Sequence, residues 1–510
     1  MMANSILKYY PENGGRVFVL FLLFSLAIYQ FVSAGFNAFA IICLLPLLVP
    51  FVYVAFKWKM LFFWLLFVVN FFIQWFNKNQ WLPSGIPLSL YNEMLEILLI
   101  ATAIVDARQS PHFDRAGSLM LLTLCCWCGF CTLERLNDSC DLGWDVGNWF
   151  TGARMMAFQL LYAYIVFVLY ITTPERLMNY LKLWALLSLF SAFWTWKQIN
   201  IGMTARESAW LWNSGYVTHV LNGGTLIRWF STFNDAACYG INAAATALTF
   251  FVIAIMSKIT KERIFFAVIA ICVTWGMFQS GTRTAIFCLI AGFLVFLVLS
   301  KSVKIIVPSA ILGVFFLFIL IFTNIGNGNQ QMRRMRSAFD KKDASANVRT
   351  INQQAIKKYL QDAPFGIGLG TSYERVPTNN KFYKLSHIPP DSEYVYIWIH
   401  TGVVGITFFV ILTVIMFLGA CWIVFFKIKC RSLVGVGAGL CGAFVAVQLG
   451  GYGNQVLMQF PNALLFYGGL SIVYVLPYIE PAWVEMEEKR IAEQEEKKRL
   501  KLEKKKLSRV

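Results

Sequence analysis

The sequence predicts an all-α fold: a polytopic transmembrane helical bundle of about 12–14 spans, with one large extracytoplasmic loop containing short helices. Three observations carry this. Of 510 residues, 58% are hydrophobic and 14% charged, against roughly 25% charged in a soluble domain; the mean hydropathy is +0.60. The apolar residues come in blocks of roughly twenty, the length a helix needs to cross a bilayer. The alternating apolar pattern of barrel strands is absent. A cytosolic enzyme, a secreted disulfide scaffold, a disordered chain and an outer-membrane barrel are excluded.

The apolar runs fall at about 17–31, 37–56, 60–76, 88–105, 118–133, 155–172, 183–197, 236–256, 264–279, 285–300, 305–323, 403–426, 433–449 and 462–478. The first is preceded by Lys8 and Arg16 and followed by Val32-Ser33-Ala34. A second run follows at once, so it is an uncleaved span rather than a signal peptide. The chain thus divides into N-terminal spans over 1–324, the large loop 325–402, C-terminal spans over 403–478 and a charged cytoplasmic tail over 479–510. The tail alternates Glu and Lys, which allows pairs one helical turn apart, and carries no catalytic group.

Lysine and arginine in the short loops fix the orientation. Lys8, Arg16, Lys57, Lys59, Arg108, Arg115, Arg176, Lys182, Lys258, Lys261, Arg263, Lys301, Lys304, Lys427, Lys429 and Arg431 fall in one set. Lys78, Arg135, Arg154, Lys197, Arg206, Arg228 and Arg283 fall in the alternate set. The larger set is cytoplasmic, which puts both termini inside. Net charge is +17, but the tail contributes little of it, with ten Lys/Arg against eight Glu over 480–510. Charge this scattered reflects topology and an anionic ligand; nucleic acid is not a partner.

Three outer loops stand out. Residues 134–152 hold Glu134, Asp138, Asp141 and Asp145 among Trp144 and Trp149. Residues 198–235 are polar and Trp-rich. Residues 325–391 carry eleven Lys/Arg and five Asp/Glu, a net +6 by subtraction. A loop of that size escapes the positive-inside rule. It is either a solvated connector or the binding surface for an anionic, membrane-held substrate.

Twelve cysteines are present, four in one apolar run: Cys125, Cys126, Cys128 and Cys131. On a helix these spread around most of the circumference, which suits buried small residues better than a metal site. Cys131 could pair with Cys140 in the next loop, though the sequence gives that little support. No metal and no cofactor is expected, and the outer loops hold no Asp-x-Asp pair for Mg²⁺.

The residues that could carry chemistry cluster on the outer side. Arg228 lies in LIRWFSTFNDAACYG, Arg283 in SGTRT, and Arg349 in ANVRTINQQAIKKYLQDAPFGIGLG. A guanidinium stays charged and grips phosphate oxygens in a fork. Three in one layer suit a diphosphate, whereas one alone would be an interfacial arginine reaching for water. In SHIPPDSEYVYIWIHTGVVG, Pro389-Pro390 ends the loop in extended form, and Asp391 or Ser392 is a natural helix cap. His387, Asp391 and Glu393 are then three titratable groups at one junction. Capping alone would also explain Asp391. His400 is about 180° round that helix from Asp391, a packed or interfacial histidine. The glycines of 366–370 make a sharp bend rather than a phosphate loop, because the flanking strand is missing.

Together these pieces resemble the O-antigen ligase and O-antigen polymerase superfamily. Arg228 looks like the family's first arginine, and Ser280-Gly281-Thr282-Arg283 like its S-x-[ST]-R segment. Arg349 with Pro364, Gly366 and Gly368 looks like the arginine before P-x-G-x-G. Gly402-Val403-Val404-Gly405 matches the closing glycines. The resemblance covers about 225–425. Eleven residues before Gly402 the ligases have His and this chain has Asp391, as in many polysaccharide polymerases. His387, four residues upstream, is the other candidate.

The resemblance implies a metal-independent membrane glycosyltransferase in the bacterial cytoplasmic (inner) membrane. Its donor is a polyprenyl-diphosphate-linked oligosaccharide and its acceptor a glycan, lipid or protein hydroxyl. Asp391, Arg349 and Arg228 are the catalytic candidates, with His387 and Glu393 beside them. Arg228, Arg283 and Arg349 bind the diphosphate. A surface-polysaccharide polymerase is the favoured reading. The alternatives are an O-antigen or protein O-glycosylation ligase of the same superfamily, a polysaccharide-lipid flippase, and a non-catalytic scaffold. A flippase would show repeat symmetry or broken helices at mid-membrane. The polar groups lie instead at one face.

Overall fold

The computed structural model describes residues 56–83, 87–106, 112–137, 146–221, 224–339, 344–369 and 376–507, with scattered residues between 15 and 54. The spans expected at 17–31 and 37–56 lie largely outside the described residues, as do Asp138, Cys140, Asp141, Trp144 and Asp145. The chain divides into two compact units, Met1–Phe63 and Trp64–Val510. The second unit carries the helical bundle.

The membrane helices begin with α1 (Lys59–Lys78), α2 (Leu88–Asp106), α3 (Leu119–Leu133), α4 (Val146–Tyr170) and α5 (Pro174–Asn200). A short α6 (Ala205–Asn213) and a two-residue hairpin, β1 (Val220–Leu221) with β2 (Leu226–Ile227), lead into α7 (Ala236–Met256). Next come α8 (Thr260–Gln279), α9 (Thr284–Leu299) and α10 (Val303–Phe322). The long loop holds α11 (Gln330–Arg336) and α12 (Ala344–Tyr359). The chain ends with α13 (Glu393–Lys427), α14 (Arg431–Gly453) and α15 (Gly468–Leu507). Ten helices among the described residues are long and apolar enough to cross a membrane, and Thr284–Leu299 and Val303–Ile319 are shorter apolar helices. The fold is an all-α polytopic bundle, as the sequence predicts.

Caps fix several starts. Thr173 and Pro174 open α5, where Thr173 accepts from the Arg176 amide. Thr204 and Glu207 form a capping box on α6. Asp235 accepts from the Ala237 and Cys238 amides at the start of α7. Such caps satisfy amides that the first turn leaves bare. The core lies where α7, α9 and α14 pack. α7 is buried over 89% of its best apolar window and α14 over 83%. Glycines along α14 let neighbouring backbones close on it, as small residues do in membrane helix packing.

Arg154 corrects the loop assignment. It does not sit in a short loop but inside α4, buried, with Nε 3.4 Å from Glu93 of α2. α4 starts earlier than the apolar run because this pairing offsets the charge that cut the run short. Of the four clustered cysteines, Cys125 and Cys126 are exposed while Cys128 and Cys131 are buried, the spread expected on one helix.

The connecting loops sort into two ends. At one, Lys258 pairs with Glu487 at 3.0 Å, Arg490 with Glu262 at 2.9 Å, and Lys301 donates to the Ile428 carbonyl at 2.8 Å. Arg115 donates to the Thr172 carbonyl there and lies over the Tyr478 ring. At the other, Lys78 donates to the Phe233 carbonyl, Asn137 to the Phe365 carbonyl and Arg228 to Thr282. α15 runs without a break from the last span into the charged tail.

Candidate active site

The hairpin sets Arg228. Register pairs Val220 with Ile227 and Leu221 with Leu226, and the Arg228 amide extends the ladder by donating to the His219 carbonyl at 2.9 Å. The guanidinium then donates from Nη1 to the Thr218 carbonyl at 2.9 Å and from Nη2 to Thr282 Oγ1 at 3.1 Å. Its Nε is buried and unpartnered. Burial above all weakens the hold of Arg228 on its proton; Arg283 and Arg349 add to this, and Asp235 opposes it. A guanidinium does not give up its proton, so the site holds excess positive charge.

His219 supports this loop. Its Nε2 accepts from the Ala236 amide at 3.1 Å, so Nδ1 carries the hydrogen and donates to the Gly215 carbonyl at 3.1 Å. Burial, with Lys78 and Arg228 nearby, pushes its pKa down to about 3. The Lys78 ammonium lies 3.4 Å from the Trp210 ring centroid and 3.9 Å from that of Phe230, a cation–π cage under the same loop.

The Ser280-Gly281-Thr282-Arg283 turn is clamped from α11. Arg334 Nε donates to the Gly281 carbonyl at 2.8 Å, and Gln331 Nε2 to the Ile227 carbonyl at 2.7 Å. Arg283 Nη1 reaches Ser337 Oγ at 3.5 Å. Arg334 is a fourth guanidinium at the site that sequence reasoning missed. The basic run 330–336 was its only signal, and nothing in it selects Arg334 over Arg333 or Arg336.

α12 brings the carboxylate in. Arg349 and Asn352 stand one turn apart on its inward face. Asn352 Nδ2 donates to Asp391 Oδ2 at 3.0 Å. Arg349 makes no hydrogen bond or ion pair among the described residues. Asp391 does not cap α13: Ser392 holds the cap position, and its hydroxyl donates instead to the Gly451 carbonyl at 3.1 Å. The Asp391 side chain is thus turned to α12.

Glu393 goes elsewhere. It is buried and accepts from the Leu457 amide at 3.0 Å, with the Val456 and Met458 amides also bonded to it. It ties down the loop after α14. His387 is exposed, its Nδ1 3.0 Å from the Tyr383 carbonyl and its ring against Tyr383. His400 is buried against Tyr396.

The glycine segments interlock. Ile367 and Gly368 donate to the Ile399 and His400 carbonyls at 2.8 and 3.0 Å, and Val404 donates to the Pro364 carbonyl at 3.1 Å. Gly402 has φ +65° and breaks α13, and Gly366 has φ +72°. A Cβ on Gly402 would collide with the Pro364 carbonyl oxygen. This hook locks the chain after α12 to the helix that starts beside Asp391.

Residues 266–410 match the family model described as O-Antigen ligase. Over that stretch the chain is similar to the O-antigen ligase/polymerase superfamily. The matched stretch runs from α8 into α13 and holds the clamped turn, Arg349, the hook and Asp391, while Arg228 precedes it. This similarity suits a membrane enzyme of the glycosyltransferase kind. No curated protein matches the chain.

Proposed function

We propose that this protein is a surface-polysaccharide polymerase of the O-antigen ligase/polymerase kind, transferring glycan from a polyprenyl-diphosphate donor to a hydroxyl acceptor at the outer face of the bacterial cytoplasmic membrane. The observation that carries it is α12: one helix carries Arg349, whose charge acts on Arg228, and, one turn on, holds Asp391 through Asn352. An anion site and a carboxylate therefore lie side by side. The acceptor hydroxyl attacks the anomeric carbon as the bond to the diphosphate oxygen breaks. Asp391 orients that hydroxyl and takes its proton. Arg228, Arg283, Arg349 and Arg334 offset the charge on the departing diphosphate, and no metal is needed for that step. The end bearing this site faces outward, and both termini lie in the cytoplasm, because the opposite end carries most of the short-loop Lys and Arg.

The test uses purified protein in proteoliposomes with polyprenyl-diphosphate-linked oligosaccharide alone. A polymerase releases free polyprenyl diphosphate and lengthens the glycan. A ligase leaves the glycan unextended until a second acceptor is added. A flippase moves the donor and breaks no bond, which would overturn the reading.

A further inference from the structure

α2 turns its polar side inward. Its buried residues are Ser89, Asn92, Glu93, Glu96, Leu99, Thr102 and Asp106, while Met94, Ile97, Ile104 and Val105 are exposed. Ser89, Asn92, Glu93 and Glu96 recur at helical spacing and share one face. Polar groups inside a bilayer are costly and mark function more often than packing.

Only one of the two carboxyls has a cation partner among the described residues. Arg154 of α4 compensates Glu93, which also accepts from Gln159. Glu96 has no cation of its own among the described residues. The other titratable group facing the two carboxyls is Tyr162 of α4. Both atoms of the Asn92 amide, Ser89 Oγ and Glu96 Oε2 are buried without a hydrogen-bond partner. Ser89 and Asn92 are each 2% exposed. Such atoms cost stability when left unmade. A carboxyl without a cation partner, with hydroxyl and amide oxygens on the same face, offers the oxygen ligands a monovalent cation takes.

We propose that Ser89, Asn92, Glu93 and Glu96 form a buried site for a monovalent cation, either a sodium ion or hydronium. Neither the glycosyl-transfer reading nor any residue of its machinery is needed for this. Gly152, two residues before Arg154, packs on the Leu369 carbonyl next to the hook.

The experiment follows the unfolding of the purified full chain in detergent. One arm titrates NaCl against choline chloride at equal ionic strength and fixed pH. The other varies pH from 5 to 8 in choline chloride. If sodium is the occupant, the folding equilibrium constant rises about tenfold per tenfold NaCl above the midpoint, and E96Q abolishes the rise. If hydronium is the occupant, sodium has no effect and E96Q removes the part of the pH dependence that remains in a His219→Gln background. Ser89→Ala keeps both carboxylates and carries the test should E96Q fail to reach the membrane; it weakens the sodium response or shifts the pH midpoint. The proposal is overturned if the unmodified chain and these variants respond alike in both arms.

Discussion

Replacing Gly402 with alanine tests the hook directly. The residue has φ +65°, where a side chain costs about 1 kcal/mol or more, and the new Cβ meets the Pro364 carbonyl oxygen. That oxygen is backbone and cannot swing away. The strain is relieved only by parting the two segments. Parting them loses three bonds: Ile367 to Ile399 at 2.8 Å, Gly368 to His400 at 3.0 Å and Val404 to Pro364 at 3.1 Å. At about 1 kcal/mol net each, with the backbone cost, the interlock weakens by about 4 kcal/mol, or about a thousandfold. Hydrogen exchange of peptides covering 364–369 and 399–404 should accelerate by roughly that factor. Donor turnover should fall with it, because α12 loses its anchor to the Asp391 helix. Gly328, where a Cβ meets nothing within 4 Å, is the control for an alanine that is tolerated. Unchanged exchange in Gly402→Ala, with normal turnover, would refute the interlock as the element that holds the site together.

Arg349→Lys keeps the charge and loses the fork, so donor turnover should drop at least tenfold with normal membrane insertion; full activity would return Arg349 to an interfacial role. Asn352→Ala should lower kcat about tenfold while donor affinity holds, since it frees Asp391 without touching the arginines; an effect on KM alone would count against this. Protonating His219 costs stability: its folded pKa is about 3 against 6.5 unfolded, so the unfolded chain binds the extra proton and stability falls as pH drops below 6.5. At pH 5 the loss is about 2 kcal/mol, and His219→Gln should flatten that part of the curve of unfolding midpoint against pH. A cysteine at the exposed position Lys358 should label from outside the cell and one at Lys429 should not; the reverse pattern would invert the proposed orientation.

The membrane helices were legible because each apolar run carries its own evidence. All twelve runs from 60–76 onward coincide with observed helices. Arg154 was misread because its partner, Glu93, is far away in sequence and only packing joins them. The three arginines and Asp391 could be picked out as residues, but not their arrangement. Arg334 matters through its contact with Gly281, which no local pattern encodes. Asn352 had a usable signal, one turn from Arg349. Glu393 looked like a companion to Asp391, and only tertiary structure sends it to the Leu457 amide. The glycines of 366–370 announced a bend, but not that the bend would seat on the break at Gly402.

The central claim is that the carboxylate held by Asn352 acts on the acceptor beside an arginine-lined anion site. The most direct measurement is release of free polyprenyl diphosphate by purified Asp391→Asn protein in proteoliposomes, with binding of the lipid-linked donor measured in parallel. The account predicts donor binding within about twofold of the unmodified chain and turnover lowered by about a hundredfold or more, the range of a lost general base. Turnover at the normal rate in Asp391→Asn would contradict it, and loss of turnover in His387→Ala instead would move the base to His387.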